Sequence, residues 1–149
     1  MLNIMARPLE RPFSSGGEPT IHPDILELVR YCRDTGLYPT LITNGLRLAE
    51  PGELEAYRDA GIRDFLVSLH GTGAIHDQVV GKEGAYERIT TAIARMRELG
   101  IPFRFNCTMS KPVVPIITQV AAALARDHAA ELAAWGLFAG PAPIGTRVP

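Results

Sequence analysis

Thiols are scarce in this chain. Only Cys32 and Cys107 occur in 149 residues, far apart in sequence. That excludes a disulfide framework and makes a reducing, cytoplasmic setting the expectation. No apolar run approaches the roughly 18 residues of a membrane span. The opening MLNIMARPLERPF lacks the long apolar core of a secretory leader. Neither sign of charge is in excess, with 15 Lys+Arg against 16 Asp+Glu. Without a net field, nucleic acid and anionic membrane surfaces are not expected partners. There is no GxSxG nucleophile elbow, and GKEG at 81–84 lacks the spacing of a Walker-type loop. The length suits one domain with a real core and is too short for two comfortable ones.

What is present repeats. Helical spacing runs over 24–35 through Ile25, Leu28, Val29 and Cys32, with Gly36 as a stop. Residues 38–42 read as an extended run. Pro51 suits the first position of a helix carrying Leu54 and Tyr57, which Gly61 closes. Residues 65–69 read as a buried strand. The most regular helix spans 86–99, with Ile89, Ala92, Ile93, Met96 and Leu99 on one stripe and Gly100 beyond it. A strand over 103–109 and a helix over 116–126 follow.

Three segments superimpose: GLYPTLITNG, GIRDFLVSLHG and GIPFRFNCTM. Each is a helix-ending glycine, an aliphatic residue and a strand with a polar far end. This βα repeat predicts a parallel α/β sheet with right-handed crossovers. Thr43 and Asn44, Ser68 and His70, and Asn106 and Thr108 fall at strand C-terminal ends, where such folds bind ligands. A short strand around 11–15 would bring Gly16-Gly17-Glu18-Pro19 to the same rim. The two glycines permit close backbone approach, and Pro19 keeps Glu18 extended. Carbonyls and the Glu18 carboxylate would then face a cation such as an ammonium. A tight turn that binds nothing is the alternative for those four residues alone.

The ordered set GGEP, then HP and an amphipathic helix, then TNG, then VSLHG, resembles the radical S-adenosylmethionine family. IHDQVVGKEGAYERI is similar to a stretch that follows the fourth strand in many members. The resemblance runs from about residue 13 to residue 111. It implies a partial (β/α)6 TIM-like barrel of parallel strands, here incomplete at both ends. It also implies a [4Fe-4S] cluster that cleaves S-adenosylmethionine reductively to a 5′-deoxyadenosyl radical. Carried over, Gly16, Gly17, Glu18 and Pro19 hold the methionyl ammonium. Thr43, Asn44, Ser68, Asn106 and Thr108 contact the same cofactor, and His70 lies on the substrate side. The cofactor's ammonium, carboxylate and ribose diol need the mixture of acceptors, donors and hydroxyls that these residues offer.

One part of the family pattern is missing. No Cys-x3-Cys-x2-Cys occurs, and only 15 residues precede Gly16. Cys32 falls on a helix's apolar stripe, a buried structural position, and Cys107 alternates with the rim residues of its strand. No metal site is expected: His70 and His76 lack a third ligand. His76 and Asp77 are instead expected to fix the loop before the long helix, with Asp77 as a local cap, and His22 to mark a helix entry. Residues 1–127 are read as an incomplete core and 128–149 as an Ala/Gly/Pro-rich, poorly ordered tail. Two functions follow as expectations: the cofactor-binding part of a radical enzyme, or a cluster-free, non-catalytic binding or scaffold remnant of the same fold, paired with a partner chain that completes the barrel. A barrel enzyme for a phosphorylated or carboxylated metabolite is disfavoured by the lack of a late glycine-rich loop.

Overall fold

A computed structural model of the chain describes residues 2–5, 17–107, 117, 118, 121, 122 and 126. Strand β1 (Leu2–Met5) precedes helix α1 (Ile25–Asp34) and strand β2 (Tyr38–Thr43). Helix α2 (Glu53–Ala60) leads to strand β3 (Asp64–Ser68). Helices α3 (Ala74–Val80) and α4 (Ala85–Glu98) then lead to strand β4 (Phe103–Asn106). The sheet order is β1-β2-β3-β4, with β2, β3 and β4 parallel. The expected βα progression is therefore present as an open sheet, and the parallel strands run in chain order.

The three glycine closures share one physical form. Gly36 and Gly100 have φ of +77° and +66°. The N–H of the aliphatic residue that follows reaches back to a carbonyl of the helix: Leu37 to Cys32 at 2.8 Å and Ile101 to Met96 at 2.9 Å. Ile62 donates likewise to Tyr57 O at 3.0 Å. This is the left-handed closure that satisfies orphan carbonyls, and it starts each following strand from the same geometry. At Gly61, a Cβ would lie 2.4 Å from Arg33 Cδ, so the closure also brings α1 against α2.

Pleat alternation divides the sheet into two faces. Register aligns Leu41, Phe65 and Phe103, and then Thr43, Val67 and Phe105, on the face that meets the helices. The core joins Leu41, Phe65, Val67 and Phe103 to Val29 of α1, Tyr57 of α2, and Ile89, Ile93 and Met96 of α4. Each fully buried Leu, Ile, Val, Phe or Met side chain stabilises by roughly 1.5–3 kcal/mol relative to exposure. The opposite face carries Ile42, Leu66 and Arg104 in one row and Ser68 beside Asn106 in the next. On this face Arg104 Nε donates to Asp64 Oδ2 at 3.1 Å and ties β4 to β3.

Several details depart from the sequence reading. β1 lies antiparallel on the outer edge of β2, pairing Leu2 with Leu41 and Met5 with Tyr38. An open edge offers N–H and C=O groups that accept a neighbour of either direction, so hydrophobic pattern alone does not reveal it. The strand expected around 11–15, most of the helix over 116–126 and the tail over 128–149 lie outside the described residues. Helix α2 begins at Glu53 after Gly52 (φ +82°), two residues beyond Pro51. Helix α3 occupies what was read as loop, being too short for its periodicity to register. Leu28, assigned to the buried stripe of α1, is 38% exposed, whereas Ile25, Val29 and Cys32 are buried.

Candidate functional site

Glu18 organises the corner. Its side chain caps a 3₁₀ turn over Pro19–Ile21. Oε1 accepts from Thr20 N–H at 3.1 Å, Thr20 Oγ1 at 2.7 Å and Thr43 Oγ1 at 2.6 Å. Oε2 accepts from Asn44 N–H at 2.7 Å. A single carboxylate therefore joins the GGEP corner to the tip of β2, 25 residues on. Charge-assisted hydrogen bonds are about twice as strong as neutral ones, which suits a turn that must be rigid. Oε1 has three donors; Oε2 has one and keeps accepting capacity. Before it, Gly17 has φ +123° and open space where a Cβ would stand. Gly16 lies outside the described residues.

The β2 tip is self-contained. Thr43 lies on the helix-facing side and is 2% exposed. Its hydroxyl donates to Glu18 and accepts from Gly45 N–H at 3.0 Å, which fits a supporting position better than direct ligand contact. Asn44 Oδ1 accepts from Leu46 N–H at 3.0 Å, leaving its amide N–H₂ exposed. Glu18 and Asn44 border a cleft of about 450 Å³ that Arg47, Glu53, Lys82 and Arg88 also line. A larger cavity of about 560 Å³ lies over the α3–α4 turn; it shares Lys82 with the cleft but touches neither Glu18 nor a strand tip.

Ser68 and Asn106 are partners in register at the tips of β3 and β4. Both are half-buried on the face opposite the helices. Neither side chain hydrogen-bonds to another of the described residues. They form a second polar group, on the other face from Thr43. The residues expected at one rim thus sort into two sets, Glu18–Thr43–Asn44 and Ser68–Asn106. Thr108 lies outside the described residues.

The loop after β3 is braced by histidine and aspartate. His70 N–H donates to His76 Nδ1 at 3.1 Å, and the two rings stack at 5.9 Å. Burial holds both imidazoles below the usual histidine range. Asp77 accepts from Tyr86 N–H at 2.8 Å and Gly84 N–H at 2.7 Å, capping α4. These bonds, Tyr86 N–H first, lower its pKa. A lowered folded-state pKa means stabilisation fully present above the unfolded value and lost as pH falls through the folded one. We expect Asp77→Asn to lower the thermal midpoint at neutral pH and to flatten its decline below the ordinary carboxylate range; circular dichroism melts across pH measure both. His22 Nδ1 accepts from Asp24 N–H at 3.2 Å, at the entry to α1.

Sequence reasoning overlooked Thr20, which is 2% exposed, and the Asp64–Arg104 pair. Thr20 was visible as a hydroxyl two residues after Glu18. Arg104 was visible from its parity with Asn106. The loop-fixing role expected of His76 is present, and its partner, the His70 backbone N–H, is what the sequence did not name.

The two thiols do not fit an iron–sulfur cluster. Cys32 is 1% exposed in the helix core, and Cys107 lies just past β4. Burial raises both pKa values, opposing the thiolate that metal binding requires. Such clusters are held by several cysteines together. Among the described residues no group of three or more His, Cys, Asp or Glu side chains is placed to hold a metal ion, and no helix is long and apolar enough to cross a membrane.

An open α/β sheet with β2, β3 and β4 parallel and helices against one face defines a partial-barrel class of fold. Residues 2–117 match the family model of the Radical SAM superfamily, and the chain belongs to that superfamily. It is 42% identical over 106 residues to an AdoMet-dependent heme synthase of Methanosarcina barkeri, covering 70% of this chain and 30% of the relative. It is 37% identical over 98 residues to a PqqA peptide cyclase of Ruegeria pomeroyi, covering 65% and 26%. The chain thus spans between a quarter and a third of these relatives' lengths. A domain of pyruvate-formate lyase-activating enzyme from Bacteroides vulgatus shares the fold, with a TM-score of 0.55 and 21% identity over 66% of this chain and 60% of that one.

Proposed function

We propose that this chain is the S-adenosylmethionine-binding part of a radical SAM enzyme. The family's cofactor supplies a 5′-deoxyadenosyl radical when it is cleaved reductively at a [4Fe-4S] cluster. Since this chain's thiols do not fit such a cluster, its own part is to bind and orient S-adenosylmethionine. The backbone carbonyls of Gly16, Gly17 and Glu18 and the spare capacity of Glu18 Oε2 accept the ammonium. Pro19 holds the corner, and Asn44 donates to the carboxylate. Ser68, Asn106 and Thr108 engage the ribose, with Thr43 supporting Glu18 and His70 facing substrate. The core extends to about residue 127, and a cytoplasmic partner chain completes the barrel.

The observation that carries this reading is the contrast between the two sets of tips. Glu18 is locked by internal donors, whereas Ser68 and Asn106 have no side-chain partner among the described residues. Titration calorimetry of the 149-residue chain with S-adenosylmethionine tests it. Each neutral hydrogen bond contributes about 0.5–1.5 kcal/mol net. Ser68→Ala combined with Asn106→Ala is therefore expected to weaken binding by about five- to a hundredfold. No saturable binding by the unaltered chain would leave the second reading, a non-catalytic remnant or scaffold. The two separated, buried-type thiols favour that alternative.

A further inference from the structure

His76 is a buried titratable group that the binding site described above does not use. It is 1% exposed, yet its ring is held by a backbone group. His70 N–H donates to Nδ1 at 3.1 Å. A neutral ring that accepts at Nδ1 carries its proton on Nε2. One residue earlier, Leu69 N–H donates to Asn106 O at 2.8 Å. The peptides just beyond Ser68 are therefore pinned on two sides, by β4 through Leu69 and by His76 through His70. The intervening loop has no slack: a Cβ at Gly71 would lie 2.8 Å from Ile75 Cγ2 and 3.1 Å from His76 N.

We propose that His76 is a positioning residue whose neutral Nδ1 fixes the tip of β3, so that Ser68 and Asn106 stand together at the ligand face. This rests on the S-adenosylmethionine reading for its ligand, but the latch itself is a property of the ligand-free chain. The groups that face His76 are His70, Asp77 and Tyr86. Burial and then His70 hold His76 neutral, with Asp77 opposing. Protonation would place an N–H at Nδ1 against the N–H of His70, two donors with no acceptor, and the latch would open. The tip of β3 is therefore set at neutral pH and released in acid.

The test uses the 149-residue chain labelled with ¹⁵N. Without ligand, the His70 amide is expected to titrate and to lose its protection against exchange as pH falls below the usual histidine range, where burial and His70 place the His76 transition. S-adenosylmethionine affinity is expected to fall over the same interval. His76→Asn keeps an acceptor, Oδ1, in place of Nδ1 but does not titrate. It should bind within about twofold of the unaltered chain at neutral pH and show no acid loss in either readout. His76→Leu removes the acceptor and should bind about tenfold more weakly than the unaltered chain at neutral pH, within the range for one lost hydrogen bond, with no further loss in acid. A His70 amide indifferent to pH, or one that titrates equally in His76→Asn, overturns the proposal; so does a tenfold neutral-pH loss in His76→Asn. If S-adenosylmethionine fails to bind at any pH, the binding reading falls, and the latch is still judged by the amide alone.

Discussion

Glu18→Ala is expected to lower stability by roughly 2–4 kcal/mol and to abolish measurable S-adenosylmethionine binding. The estimate comes from what the substitution strands. The Thr20 and Thr43 hydroxyls are both 2% exposed as residues, and each donates to Glu18 Oε1. A buried polar group left without its partner costs about 1–3 kcal/mol. Losing the 3₁₀ cap adds a smaller amount, whereas the Asn44 N–H can turn to water. Each kcal/mol moves the midpoint by roughly 2–8 °C across domains of about 60–250 residues, so a drop of roughly 4–32 °C should appear in thermal melts. Glu18→Gln separates the two roles. Its amide oxygen can serve the two threonines while its N–H₂ opposes the Asn44 N–H, so it should retain most of the stability and lose most of the binding. A Glu18→Ala protein that melts within a degree or two of the unaltered chain would mean that the corner is not held by this carboxylate.

Anaerobic reconstitution with iron and sulfide is expected to give no [4Fe-4S] cluster on this chain. In place of three clustered thiolates the chain has Cys32, sealed in the helix core, and Cys107, half-buried just past β4. The outcome is all-or-none, read as the broad visible charge-transfer absorption and as iron retained after desalting. Cys32→Ala with Cys107→Ala should look identical to the unaltered chain in both. A stoichiometric cluster that the double substitution removes would overturn the assignment of this chain to binding alone. Adding the missing cysteines on a separate polypeptide is the complementary arm. Cluster formation and 5′-deoxyadenosine release only in the mixture would support the enzyme reading over the remnant.

The repeat of glycine, aliphatic residue and strand was legible because it is local chemistry. A glycine that must adopt positive φ, and an aliphatic residue whose N–H reaches back into the helix, form within about six residues. Their order along the chain determined three parallel βα units and the positions of the strand tips. The turn at Gly17-Glu18-Pro19 was legible for the same reason: Gly17 takes a positive φ and Pro19 keeps Glu18 extended. Cys32, Asp77 and His22 were likewise read from spacing, and each stands in the structure where spacing put it.

What tertiary structure alone decided was the direction of each tip's side chain and the identity of its partner. Thr43 and Ser68 look alike in sequence, but strand register places Thr43 with Val67 on the helix side and Ser68 with Asn106 on the other. A shift of one residue reverses every face, so motif proximity cannot assign them. Glu18's hold on Thr43 and Asn44, Asp64's on Arg104, and His76's on the His70 backbone all join groups brought together by folding. The antiparallel β1 belongs with them, since an open strand edge selects its neighbour by unpaired backbone groups rather than by side-chain pattern. Local backbone preference thus wrote the βα plan, and long-range hydrogen bonding chose which polar groups stay locked inside and which keep no side-chain partner among the described residues.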